Sequence, residues 1–425
     1  MSLEDLDRRV LWHPFTQMQE WEPLVIASGD GNYLVDRDGR RYLDGVASLW
    51  CNVHGHRHPV LDRALHAQVD RIAHSTFLGL THEPGIRLAE ALLEVAPPSL
   101  RRVFYSDSGS TAVEIALKQS FQYWALRGHP AKHKFLRLGD AYHGDTLGAV
   151  GVGGIDLFHR VFGPLLVHSI AIPTPAGTDG SHALEQLERE LRTGANEISA
   201  FIFEPLIQGA AGMLVHPDGF LTEAARLCRH YGVHLILDEV ATGFGRAGTM
   251  FACEQEGVQP DFMCLAKGIA GGYLPLAATL ASEEIYSAFL GPRAELKHFF
   301  HGHTFTANPL ACAVGVASLE LLRASTLANA IARTTTVERA LARIATSPAV
   351  RAIRRRGLMI GIELRSHDDS SRSRGAEVCH RARAHGVILR NLGDVIVWMP
   401  PLTITDDDIG LLEHATAAAI LESGV

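Results

Sequence analysis

Two short apolar runs, 233–237 (VHLIL) and 262–266 (FMCLA), constrain the fold of this chain more than any other feature. Each has the length and residue types of a fully buried strand, and each gives way to a charged residue and a glycine-rich turn. In an open α/β sheet, side chains at the carboxyl ends of strands face the ligand crevice. Asp238 and Lys267, which follow the two runs, can therefore meet one ligand. Taken singly, such an Asp can cap a helix and such a Lys can be a solvated loop charge. Taken together they match the needs of pyridoxal phosphate. A lysine amine forms a Schiff base with its aldehyde, and an aspartate keeps its pyridine nitrogen protonated so that the ring can accept electrons.

The bulk composition excludes several other classes. With 425 residues, 47% apolar and 20% charged, the chain reads as a soluble globular protein of two or three domains. A net charge of -8 and a pI near 6.3 leave no basic face for nucleic acid. The six cysteines show no CxxC spacing and read as reduced core residues of a cytoplasmic protein. The opening MSLEDLDRRV has no apolar signal region, and no uninterrupted apolar run approaches the roughly eighteen residues of a membrane span. Among 23 histidines none has metal-ligand spacing on a plausible helix; His54, His56 and His58 share a Gly/Pro-bearing loop, and no metal is expected.

Taken in order, residues 12–21 (WHPFTQMQEW) are too irregular for a helix and read as a segment lying over a pocket, or as an ordinary N-terminal arm. A hairpin is expected at Asp38-Gly39. Helices are expected over 60–73 and 84–95. The stretch 101–128 reads as strand, tight turn and helix, and its SGS turn puts Gly109 and Ser110 at a helix N-terminus suited to a phosphate. Tyr142, in the next strand-end loop, could stack on an aromatic cofactor or be a half-buried surface ring. GVGG at 151–154 lacks the GxGxxG pattern of nicotinamide sites. A further strand, 200–203, ends in Glu204. From about residue 315 the pattern changes to a long helix, a polar insert at 366–375 and a hairpin carrying Arg390 at its turn. This part is expected to pair with the N-terminal hairpin as a second domain.

With LDEVATGFGRAG, LAKGIAGGYLP, the SGS turn, YHG and HGHTFTANP in place, the whole chain resembles the class III aminotransferases. That resemblance implies fold type I, with a large domain (56–314) on a mostly parallel seven-stranded sheet and a small α+β domain from 1–55 and 315–425. It implies pyridoxal phosphate held by Gly109, Ser110, Tyr142, Asp238 and Lys267, and a homodimer in which His303 and Thr304 reach the neighbouring subunit's cofactor phosphate. WHPFTQM, SLWCNVHGHRHP, Ala241 and the Arg390 hairpin ending in MPP are similar to the biotin-pathway branch of the class. That branch moves an amino group from S-adenosylmethionine, or in some members lysine, to 8-amino-7-oxononanoate. By the same resemblance Phe15, Trp50, Tyr142, Lys267, Gly302 and Arg390 line the substrate site, Arg390 pairs with a carboxylate, and Asp145 and Arg246 lie near. The family often has Tyr at the position of Phe15 and Pro at that of His303, which bears on the donor. Other members of the class use another ω-amine or amino acid with pyruvate or 2-oxoglutarate.

Overall fold

The computed structural model describes residues 1–167, 169–366 and 373–424. At its centre is a seven-stranded sheet of β1 (Leu100–Ser106), β2 (Lys134–Leu138), β3 (Ser169–Ile172), β4 (Ile198–Phe203), β5 (His234–Asp238), β6 (Phe262–Leu265) and β7 (Ala277–Ser282). The spatial order is β1-β7-β6-β5-β4-β2-β3. Only β7 runs antiparallel to its neighbours. Every residue of β4, β5 and β6 is buried, which explains why these strands are apolar throughout instead of alternating. Helices cover the sheet, among them α1 (Gly109–Leu126), which packs across β6 and β7.

The N-terminal strands Ile26–Asp30, Tyr33–Asp36 and Arg41–Asp44 form the expected hairpin unit, and Val387–Ile388 adds to it in parallel beside Arg41–Asp44. The two ends of the chain therefore share a sheet. A second sheet joins Val350–Arg356, Met359–Leu364, Val395–Trp398 and Arg390–Leu392, all antiparallel. Its last hairpin corrects one expectation: Arg390 pairs with Val397 within a strand, and the turn falls at Gly393, whose φ of +58° a glycine adopts without strain. Of the polar insert, residues 367–372 lie outside the described residues.

An unexpected short helix, Leu3–Val10, opens the chain, capped by the Ser2 hydroxyl. The segment after it is irregular apart from one turn at Met18–Glu20. The helical stretch Pro309–Ile344 is long and apolar enough to cross a membrane by length and composition, although it contains no unbroken apolar run of that length. Half of its most apolar window is buried inside the protein, and its first segment packs on the helices Pro59–Val69 and Glu83–Val95, as a core helix does. All six cysteines are free, five of them buried.

Candidate active site

Three neighbouring strands deliver acidic or imidazole groups to one cavity. Asp238 ends β5, Glu204 follows β4 and His143 lies in the loop after β2. The β5–β6 register pairs Asp238 with Cys264, so Lys267, just beyond β6, rises on the adjacent strand. Trp50, Gly109, Ser110 and Tyr142 complete the wall of a cavity of about 560 Å³. These six sequence-chosen residues do share one site.

The electrostatics of the cavity are set by burial. His143 Nδ1 donates to Asp238 Oδ2 at 2.7 Å, while the Val240 amide donates to Oδ1 at 3.0 Å, which aims the carboxylate. His143 Nε2 is buried with no protein partner. Burial pushes the Lys267 amine below its ordinary value, with Asp238 and then Glu204 pulling it back up. That amine stands 5.4 Å from the centre of the Trp50 ring. Lys267 itself has φ +44°, a strained conformation for a side-chain-bearing residue and one that occurs mostly at functional positions. The Tyr142 hydroxyl donates to Asp145 at 2.8 Å, and burial raises the phenol further, so the ring stays neutral.

Glu204 accepts from the Gly209 amide at 2.9 Å, yet its burial raises the carboxyl from 4.5 to about 7. The sign for stability follows from the proton count. Between pH 4.5 and about 7 the folded protein holds a proton that the unfolded chain has released, so the contribution is present below pH 4.5 and lost as pH rises through 7. Its size is on the order of 3 kcal/mol. In cofactor-free protein, Glu204→Gln is expected to flatten the fall in unfolding free energy, read from urea titrations between pH 4 and pH 8, by about this amount; an unchanged slope would contradict the raised carboxyl.

The phosphate end rests on α1. Ser108 and Thr111 cap one another, with the Thr111 amide donating to Ser108 Oγ at 3.4 Å, which leaves the Gly109 and Ser110 amides open at the positive end of the helix. Two glycines make this cradle. A Cβ at Gly109 would fall 2.6 Å from a Val240 methyl, and one at Gly144, where φ is +114°, would fall 2.4 Å from Ser110 Cβ. The open amides, the aimed Asp238, the amine lowered by burial and the flat walls of Trp50 and Tyr142 fit pyridoxal phosphate. Gly109→Ala is expected to weaken its binding by about tenfold, read by absorbance titration, because a β-branched neighbour must move. Unaltered affinity would show that Gly109 does not shape the cradle.

Not every sequence-chosen residue lines this cavity. Phe15 and Arg390 line a neighbouring groove of about 1060 Å³, with the guanidinium 5.9 Å from the Phe15 ring centre. Phe158 bridges the two spaces, its ring 6.3 Å from Tyr142 and 5.4 Å from Phe15. Gly302 and Thr304 are exposed on a loop, and His303 Nδ1 lies 2.8 Å from Asp107, itself on the cavity wall. Arg246 faces away from the cavity: it is buried and donates to the carbonyls of Asn52, at 2.8 Å, and Pro400. His54 is bonded to Ser318 and Thr326, both at 3.0 Å, and His56 to Asp44 at 3.0 Å, so both brace the fold. Among the described residues no group of three His, Cys, Asp or Glu could hold a metal. Sequence reasoning gave His143 and Glu204 no role; Glu204 carries the signal that marked Asp238, a polar group just past a buried strand, whereas His143 lies further along the loop after β2.

Comparison with known proteins adds to this geometry. The family model described as aminotransferase class-III matches residues 16–420. The adenosylmethionine-8-amino-7-oxononanoate aminotransferase of Geobacter sulfurreducens is 49% identical, over 97% of this chain and 95% of its own. A crystal structure of the enzyme so named from Methanocaldococcus jannaschii superposes with a TM-score of 0.96 at 41% identity, covering 100% of this chain and 99% of that one. An amine transaminase from an uncultivated Pseudomonas species, solved with pyridoxal phosphate bound, gives 0.92 at 36% identity, over 98% and 99%.

Proposed function

The chain belongs to the class III aminotransferases, which are pyridoxal-phosphate enzymes, and from that premise we propose that it transfers an amino group to 8-amino-7-oxononanoate, giving 7,8-diaminononanoate for biotin synthesis. The donor is S-adenosylmethionine or lysine. What carries the reading is a match over nearly the whole of this chain, with about half the residues in common, to relatives of that name. The groove beside the cavity supports it, since Arg390 there offers a guanidinium fork to a carboxylate, with Phe158 between the groove and Tyr142.

Each side chain then has a task. Pyridoxal phosphate, when bound, supplies an electron-accepting ring next to the amine-bearing carbon. The Gly109 and Ser110 amides hold its phosphate and Tyr142 covers its ring. Asp238, fixed by His143, holds the ring nitrogen in its protonated form. Lys267 carries the proton between carbons, and burial, by lowering its amine below the ordinary value, favours the neutral, basic form this needs. Trp50, Phe15 and Arg390 orient the acceptor, and Tyr142 shields the reacting end from water.

We assign residues 56–314 to a cofactor domain and 1–55 with 315–425 to a smaller one, in keeping with the sheet that joins the two chain ends. We further assign a homodimer, in which Gly302, His303 and Thr304 reach across to the partner subunit's site; their exposed loop in the single chain supports this. Six unpaired cysteines agree with work in the reducing cytoplasm. The test is 8-amino-7-oxononanoate with S-adenosylmethionine or lysine in parallel, scored for diaminononanoate. Product from either donor is expected. No product from both, with turnover of an ω-amine against pyruvate, would move the chain to the amine-transaminase side of the class.

A further inference from the structure

The groove that receives the acceptor in this reading is roofed by the N-terminal arm, which meets the rest of the chain through Glu4, 3.3 Å from Arg37, and through the Phe15 ring against Phe158. The helix Leu3–Val10 buries no residue, and the turn Met18–Glu20 buries none. Phe15 is 58% exposed and has φ +52°. A ring-bearing residue in that region is strained, and such strain persists only where the surroundings over-determine it.

One side chain supplies the constraint. Asp7, on the opening helix, accepts from Trp21 Nε1 at 2.7 Å and bonds His13 Nε2 at 2.9 Å. The His13 and Trp21 rings also meet at a tilt of 36°, their centres 4.5 Å apart, and Arg8 Nε donates to the Trp21 carbonyl at 3.5 Å. Both ends of the loop that carries Phe15 are thus gripped by one carboxylate. The side chain of Asp7 is 16% exposed and that of His13 27%, so the node is largely shielded from water, where hydrogen bonds to a charged acceptor hold best.

We propose that Asp7 is the positioning residue of the substrate groove: by clasping His13 and Trp21 it holds the intervening loop closed and keeps Phe15 over Arg390. It touches no substrate. The inference rests on the groove of Phe15 and Arg390 being where the amino acceptor is received.

The clasp and the substrate reading are tested separately. Hydrogen exchange of the substrate-free holoenzyme should show residues 13–21 exchanging at least about tenfold faster in Asp7→Ala than in the parent, with the cofactor cavity unchanged. Steady-state kinetics should show KM for the acceptor raised by about tenfold with kcat within about twofold, the pattern of lost binding without lost chemistry. Asp7→Asn, which keeps an acceptor for Trp21, should recover part of the loss. Should Asp7→Ala fail to fold, Trp21→Phe, which removes one donor and keeps the ring, should move both readouts the same way. Unchanged exchange at 13–21 would overturn the clasp; faster exchange with an unchanged KM would overturn its role in the groove. If the parent enzyme uses pyruvate instead of 8-amino-7-oxononanoate, the substrate reading falls, and the same comparison with pyruvate still decides the clasp.

Discussion

Lys267→Ala protein is expected to fold, to bind pyridoxal phosphate, and to lose turnover by on the order of 10⁴-fold, because in the proposed mechanism one amine serves as both covalent anchor and proton carrier. Folding should survive since the substitution removes a partly buried amine whose charged form burial disfavours, and alanine meets the strained backbone at 267 with a smaller side chain. The discriminating measurement is rescue. A small primary amine added to the buffer can carry the proton that Lys267 carried, so activity should return in proportion to its concentration and basicity. Turnover at the parental rate without added amine would remove Lys267 from the mechanism.

The second large effect belongs to Asp238→Asn. The carboxamide is nearly the same size; its one oxygen can accept from the Val240 amide while its NH2 faces His143 Nδ1, which accepts in the other imidazole tautomer, so the thermal midpoint should move by only a few degrees. What it lacks is the charge that keeps the pyridine nitrogen protonated. A fall in kcat of about 10²- to 10³-fold is expected, with KM for either substrate little altered, as for an interaction that matters mainly in the transition state. A kcat within about threefold of the parent would mean that ring protonation is secured elsewhere, and His143, with its unpartnered Nε2, would be the group to examine.

Much of the cavity was legible because its signals are local. A buried run followed by a polar residue and a glycine marked Asp238 and Lys267, and a small-residue turn before an amphipathic stretch marked Gly109 and Ser110. Glu204 carries the same signal at the end of β4, but a carboxyl there is as ordinary as a cap until its burial is known. His143 was hidden for a related reason: in sequence it is one of several loop histidines, and only its 2.7 Å bond to Asp238 distinguishes it. Arg246 shows the opposite failure. An arginine in a glycine-rich loop near the lysine invites a substrate role, yet the loop folds inward and spends its donors on two backbone carbonyls.

Sequence alone determined the strands that lead to Asp238, Glu204 and Lys267, and so which side chains can stand at the carboxyl edge of the sheet. Hydrophobic period and turn chemistry are properties of a few neighbouring residues, and they survive translation into any tertiary arrangement. Strand order is not such a property. That β4 lies between β5 and β2, bringing Glu204 and His143 beside Asp238, follows from burying the whole sheet at once. The meeting of Phe15 with Arg390, from opposite ends of the chain, was likewise decided only by the tertiary structure, because packing fixes long-range contacts that no short window of residues encodes.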